Sequence, residues 1–393
     1  AGGASDFNAG GYNVMLGAEA GGSAIAPSSN VYIGYRSGGQ NKQGGYNVMI
    51  GDAAGYNPVG NQYSGSHNVF MGYAAGYNTG ADKNVFIGSS AGQYTTGSFN
   101  TFMGYQAGKG GTTSAPYSSG EKNVAVGYGA LTAFTTGFQN VAIGYDAGGA
   151  ITTSHYNVLI GQDAGKSITS GAGRSVLIGT FAGDAQTTSD YNVAIGYLAM
   201  TDNQVGSDNV VLGGNAGNKL LGPENTIVGT YAGDALTTSS GSVVIGNNAL
   251  TTATTDKYGV AIGWEAMKLT PAGLALETTI AIGYRAMYGA QATSGISGNV
   301  AIGSSAGYTI TSGGNNVFLG YHAAYNVTAG SKNVIVGRHA GNKLASGSSD
   351  TYIGYSAGYY ATGSYDTFVG ESAGKGGTTS APFSSGQYNT AVG

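Results

Sequence analysis

The chain has no cysteine, only 6 prolines and one tryptophan, and few charges: 15 Lys+Arg and 19 Asp+Glu in 393 residues, a formal net charge of −4. Without cysteine there is neither a disulfide framework nor a thiolate zinc site. Charged residues make up 9 % of the chain, against about 25 % in ordinary domains. Because 41 % of the residues are apolar, this is not a disordered, charge-solvated chain. There is no basic field to hold nucleic acid or anionic lipid, and no run of about 18 apolar residues to cross a membrane as a helix. Collagen is excluded as well, since glycine does not recur at every third residue. What the chain has in excess is glycine, 74 residues, more than twice the usual share of about 7 %.

The glycines belong to a repeat, Asn-Val-x-Ile-Gly-x-x-Ala-Gly. It reads NVMIGDAAG at 47–55, NVFIGSSAG at 84–92, NVAIGYDAG at 140–148 and NVAIGSSAG at 299–307. Its first glycine recurs 22 times between Gly17 and Gly393, most often at an interval of 17. The pattern fills residues 1–393 as one continuous repeat array without a linker. A unit of 17 residues is too short for a helical hairpin or a propeller blade. It suits one coil of a parallel β-solenoid, each coil stacked about 4.8 Å above the last. The predicted fold is therefore all-β, a β-roll or β-helix of about 22 coils.

Each column of the repeat has a physical reading. Position four is always Ile, Val, Leu or Met, and position two is Val in 16 of 22 copies and Thr in five. β-Branched residues at alternate positions share one face of a strand, which is expected to face the core. The following glycine suits a sharp corner. Ala stands three residues later in 20 of 21 complete copies, where another wall packs closely. Column one is Asn in 16 copies and Asp at 350 and 366. Stacked Asn side chains pair in ladders, and Asn also tolerates a left-handed corner; both readings stay open. Position three is expected to point away from the core, yet it is apolar in every copy, with Phe70, Phe86, Phe102, Phe318 and Phe368 among its members. A strand apolar on both faces is buried on both, so these rings are predicted to pack against another subunit or a second layer of the same chain.

The NVAIG-type unit with Ala three residues on resembles the head repeats of YadA-type trimeric autotransporter adhesins. Copies ending in Ala-Leu, VGYGAL at 126–131 and IGNNAL at 245–250, are similar to repeats of bacteriophage tail-fibre proteins. The resemblance implies a left-handed parallel β-roll of three closely packed chains, outside the cell or on a virion. IGDAAG at 50–55 is also similar to the hexapeptide motif of left-handed β-helix acyltransferases. Here there is one hexad per coil, so two of three walls lack the signature, and no enzyme is expected.

Chemistry-bearing motifs are otherwise scarce. No glycine-rich phosphate loop opens a helix, and no zinc or calcium motif appears, so no cofactor is expected. His322 and His339 share a column one coil apart, as do Asp146 and Asp163; two ligands are short of a proper metal site. Tyr35, Tyr73, Tyr105, Tyr128 and Tyr145 directly follow the repeat glycine, and Trp264 takes that place once. Such a ring ladder would either contact glycans or other subunits, or pack upon itself. Asn326-Val327-Thr328 is an N-glycosylation sequon, making Asn326 a candidate attachment site. The stretch KGGTTSAPYSSG at 109–120 returns as KGGTTSAPFSSG at 375–386, so the coils lie inside a longer super-repeat. Starting at Ala1 without Met and stopping mid-unit at Gly393, the chain reads as a processed product or a fragment. A second copy placed after Gly393 would continue the register, which predicts head-to-tail stacking. The expectation is a non-catalytic, self-associating extracellular filament subunit, with a receptor- or glycan-binding adhesin or tail fibre as the alternative.

Overall fold

The computed structural model describes residues 11–22, 28–58, 65–112, 117–171, 173–273, 276–289, 296–377 and 385–393. The centres of the two KGGTTSAP stretches lie outside them. The chain folds as two compact units, residues 1–192 and 193–393. Each is a parallel β-solenoid with no helix among the described residues. The first carries ten three-residue strands, from Val14–Leu16 to Val176–Ile178, and the second twelve, from Val193–Ile195 to Thr390–Val392. Every one of them ends at the residue before a repeat glycine. Successive strands pair in parallel with identical columns aligned: Val69, Phe70 and Met71 lie beside Val85, Phe86 and Ile87. The second unit adds a short ladder between Asp256–Lys257 and Leu276–Glu277.

Column one is a hydrogen-bonded ladder, which settles the two readings of the asparagines. Asn47 Oδ1 accepts the backbone N–H of Asn68 at 2.9 Å, Asn68 Oδ1 that of Asn84 at 2.8 Å, and Asn84 Oδ1 that of Asn100 at 2.7 Å. The amide nitrogen turns the other way and donates to a loop carbonyl, as from Asn47 to Gly65 O at 2.9 Å. These asparagines are buried. The left-handed residue is the one before each of them, for example Tyr46, His67, Lys83 and Phe99. Ser175 keeps the ladder with its hydroxyl, which accepts the Asn192 N–H at 3.3 Å. Threonines make a second ladder in the turn segment: Thr135 Oγ1 donates to Thr152 O at 3.0 Å and Thr152 Oγ1 to Thr169 O at 3.1 Å.

The strand faces are reversed relative to the sequence expectation. Position three points into the coil, and positions two and four point outward. Phe70, Phe86, Phe102 and Phe318 are fully buried and Phe368 nearly so, all within the chain's own core. Their predicted intersubunit packing is thereby corrected: Phe70, Phe86 and Phe102 stack on one another, centroids 5.0 and 4.9 Å apart. A one-residue change of phase swaps the faces of a strand, and three consecutive apolar residues carry no alternation from which to read the phase. The inner wall opposite is built from the Ala three residues after the glycine and from a column seven residues after it, which the sequence analysis did not isolate. That column includes Phe134, Ile151, Ile168, Leu220, Leu236 and Leu344, all buried.

Glycine is required at the strand's end. There φ is about +130 to +145°, as at Gly144 (+138°), and a Cβ would collide with the backbone oxygen of the glycine one coil on. The second glycine serves a different need. At Gly76 (φ +61°) a Cβ would stand 2.7 Å from the Phe70 ring. Leu131, Met200, Leu250, Met267 and Met287 replace that glycine in coils whose position three is Ala125, Ala194, Val244, Ala261 and Ala281, and all five are buried. In these five coils a large side chain at the second corner takes up room that a ring at position three takes up elsewhere, as close packing favours.

Four substitutions test these devices. Gly76→Leu should destabilise by about 3 kcal/mol or more and Phe70→Ala by about 3–5 kcal/mol. The double variant should be more stable than additivity predicts by about 2 kcal/mol, read from denaturant midpoints. Asn140→Ala strips the Asn157 N–H and Ser154 O of their partners and should cost about 2–4 kcal/mol. Asn140→Ser, copying Ser175, should cost less in the same measurement.

Candidate functional site

Two sets of side chains repeated from coil to coil lie outside the core. The first is the outward strand face. Its position-two and position-four side chains are half-buried to exposed, with Met71, Met103, Ile143, Ile195, Ile302 and Ile353 each 38–40 % accessible. No charged residue occurs at either position in any copy. Within each unit this face is built from strands in register, each three residues wide.

The second is the column of rings after the repeat glycine. Tyr105, Tyr128 and Tyr145 form a stack with centroids 5.1 and 5.1 Å apart and planes within 22°. Each ring remains about half exposed along its edge. Trp264 stacks on Tyr284 at 5.1 Å. The Arg285 guanidinium lies 5.0 Å from the Trp264 ring centroid and 5.2 Å from that of Tyr284. Glu265, buried to 7 % side-chain exposure, fixes this arginine through a 2.7 Å ion pair and binds Lys268 at 2.6 Å. Burial raises the Glu265 carboxyl, but the two cations outweigh it and hold the group below its ordinary value. Tyr35 is covered by Arg36, whose guanidinium lies 4.9 Å from the ring centroid. Tyr73, between Asp52 and Ser89 in its column, is the most exposed of the six at 60 %.

A further ladder, Tyr288, Tyr308 and Tyr325, with centroids 5.2 and 4.8 Å apart, escaped the sequence analysis. Its signal is a tyrosine five residues after each of three successive repeat glycines. His322 and His339 do meet, ring centroids 5.4 Å apart and edge to face, among Tyr321, Tyr325 and Tyr359. Desolvation lowers the basicity of both, with the neighbouring Arg338 charge adding to it. Asp146 and Asp163, neighbours in one column, are bridged by the Lys166 ammonium, at 3.8 and 2.8 Å. Among the described residues no three His, Cys, Asp or Glu side chains cluster as a metal site. Asn326 is half-buried and its Nδ2 donates to Asn342 O at 2.9 Å, which occupies one of the two amide hydrogens and leaves one for a glycan to replace. No helix among the described residues is long and apolar enough to cross a membrane.

The fold defines the class: a β-solenoid repeat protein. Compared with known proteins, the chain matches no family model and no curated protein.

The single tryptophan gives a direct probe of the ring column. Arg285→Ala should uncover one face of Trp264, so that its emission shifts to the red and acrylamide quenching rises. Because the guanidinium is partly solvated, the loss of stability should be no more than about 1 kcal/mol.

Proposed function

We propose that this chain is a non-catalytic structural subunit that associates with copies of itself, side by side through the outward strand face, into an extracellular fibre or rod. The observation that carries the reading is the uncharged row of Val, Thr, Ile and Met side chains on that face. A contiguous apolar patch of this size is often an interaction surface. Ten strands spaced about 4.8 Å apart and about 10 Å long present roughly 500 Å² in the first unit alone. Two such faces bury about 1,000 Å², the lower bound for a specific contact, and the flanking rings add to it. A three-chain assembly of the kind YadA-type head repeats build is one arrangement that would cover this face. The ladders of Asn, Thr and stacked rings suit a stiff spacer better than a catalyst, because they leave few polar groups free to react.

The alternative, a receptor- or glycan-binding adhesin or tail fibre, draws on the exposed Tyr73 ring. The stacked Tyr105, Tyr128 and Tyr145 support it less, since they offer edges rather than open faces to a sugar.

Mass in solution and negative-stain images of the purified chain test the reading. The wild type should form multimers or fibres. The Met103→Lys/Ile143→Lys variant should keep its β-sheet circular dichroism and fall to the mass of one chain. A wild type that stays monomeric at every concentration overturns the proposal, and retention on glycan columns that Tyr73→Ala abolishes would favour the adhesin.

A further inference from the structure

The asparagine ladder changes chemistry at two successive rungs, Asp350 and Asp366. Both carboxylates keep the accepting half of the Asn role. Asp350 Oδ1 accepts the Asp366 N–H at 2.9 Å, and Asp366 Oδ1 accepts the Asn389 N–H at 2.8 Å. The donating half is what differs. One coil earlier, Asn333 Nδ2 donates to Gly347 O at 2.8 Å, and a Cβ on Gly330 would fall against both atoms, 2.7 Å from the nitrogen. At the next coil a Cβ on Gly347 would fall against Gly363 O and stand 2.6 Å from Asp350 Oδ2. Asp350 Oδ2 thus occupies the amide-nitrogen slot and faces a carbonyl oxygen. Two acceptors cannot bond each other. Asp350 is fully buried, and Oδ2 has no hydrogen-bond partner. The Tyr352 hydroxyl, buried in the same coil, has none either.

We propose that Asp350 is carried as a neutral acid, its proton on Oδ2 donated to the Gly363 carbonyl as an asparagine amide would donate, so that the coils around it hold together in acid and loosen as the proton leaves. Among the described residues, the titratable groups facing it are Asp366 from the following coil and Tyr352 from its own coil. Burial pushes the Asp350 carboxyl up to about 7; the Asp366 N–H opposes this and the Asp366 charge adds to it. Burial and the two carboxylates also raise the Tyr352 hydroxyl, so it does not supply the proton by ionising. In the unfolded chain the carboxyl titrates near about 3.9. The folded chain therefore binds the extra proton between these limits. Its contribution to stability is complete below about pH 4 and is lost as the pH rises through about 7.

Melting of the full chain between pH 5 and 8.5, compared with Asp350→Asn, tests this. The wild-type midpoint should fall by about 3 °C or more from pH 6 to 8.5 relative to the variant, and Asp350→Asn should melt above the wild type at pH 8.5. Parallel pH profiles, or a variant that melts lower at pH 8.5, overturn the proposal. So does calcium chloride that raises the wild-type midpoint at pH 8.5 and leaves the variant unmoved, since a bound cation would then fill the slot. Should Asp350→Asn fail to fold, infrared spectra of the Asp234→Asn/Asp256→Asn double variant decide: it removes the two other carboxyls raised by burial, that of Asp256 to about 6. A protonated-carboxyl band should persist at pH 6 and vanish by pH 8.5, and its absence at pH 6 counts against the proposal.

Discussion

Everything in this fold depends on stacking one coil on the next with no side chain between the corner backbones. The corner glycine at each strand's end lies so close to its counterpart that a Cβ would meet the neighbouring carbonyl. The same spacing brings each buried asparagine within bonding distance of the next backbone N–H. Parallel strands of three residues have too few ladder bonds to hold a sheet by themselves. The side-chain ladders of Asn and Thr extend the hydrogen bonding around the corners, where the backbone alone would leave donors unpaired.

Within that frame the core is filled slice by slice. A ring at position three goes with a small residue at the second corner, glycine or, beside Phe318, Ala324, and an alanine at position three admits Leu or Met there instead. This exchange explains why a repeat with fixed corners tolerates Phe86 in one coil and Ala281 in another. It also explains the cost of error: in so narrow a coil no neighbouring side chain can move aside. Many polar residues that enter the core are matched there, as Asn41 is by the Tyr32 hydroxyl, whereas Asp350 Oδ2 and the Tyr352 hydroxyl are buried without a partner.

The surface divides by chemistry. The strand face is apolar and uncharged, which favours contact with a like surface. The ring column is already occupied by its own stacking and by Arg36 and Arg285. Hydrogen-bonded ladders and self-stacked rings leave the strand face as the larger unspent apolar surface, which is why self-association is the stronger reading of function.

The residues alone determined the period, the strand positions, the glycine corners and the parallel stacking, because each depends on backbone conformation and on a side-chain pattern repeated 22 times. The shared columns of His322 with His339 and of Tyr105, Tyr128 and Tyr145 were legible for the same reason. Which face of the strand turns inward was not legible. Val, Phe and Met at positions 69–71 satisfy either phase, and only the direction in which the chain bends after Gly72 chooses between them. That bend places Phe70 inside and Val69 and Met71 outside. The inward column containing Ile151 and Leu220 was hidden in turn segments of varying length, and so was the slot that Asp350 shares with asparagines. Both exist only because residues 13 to 20 apart along the chain are brought together when the coil closes.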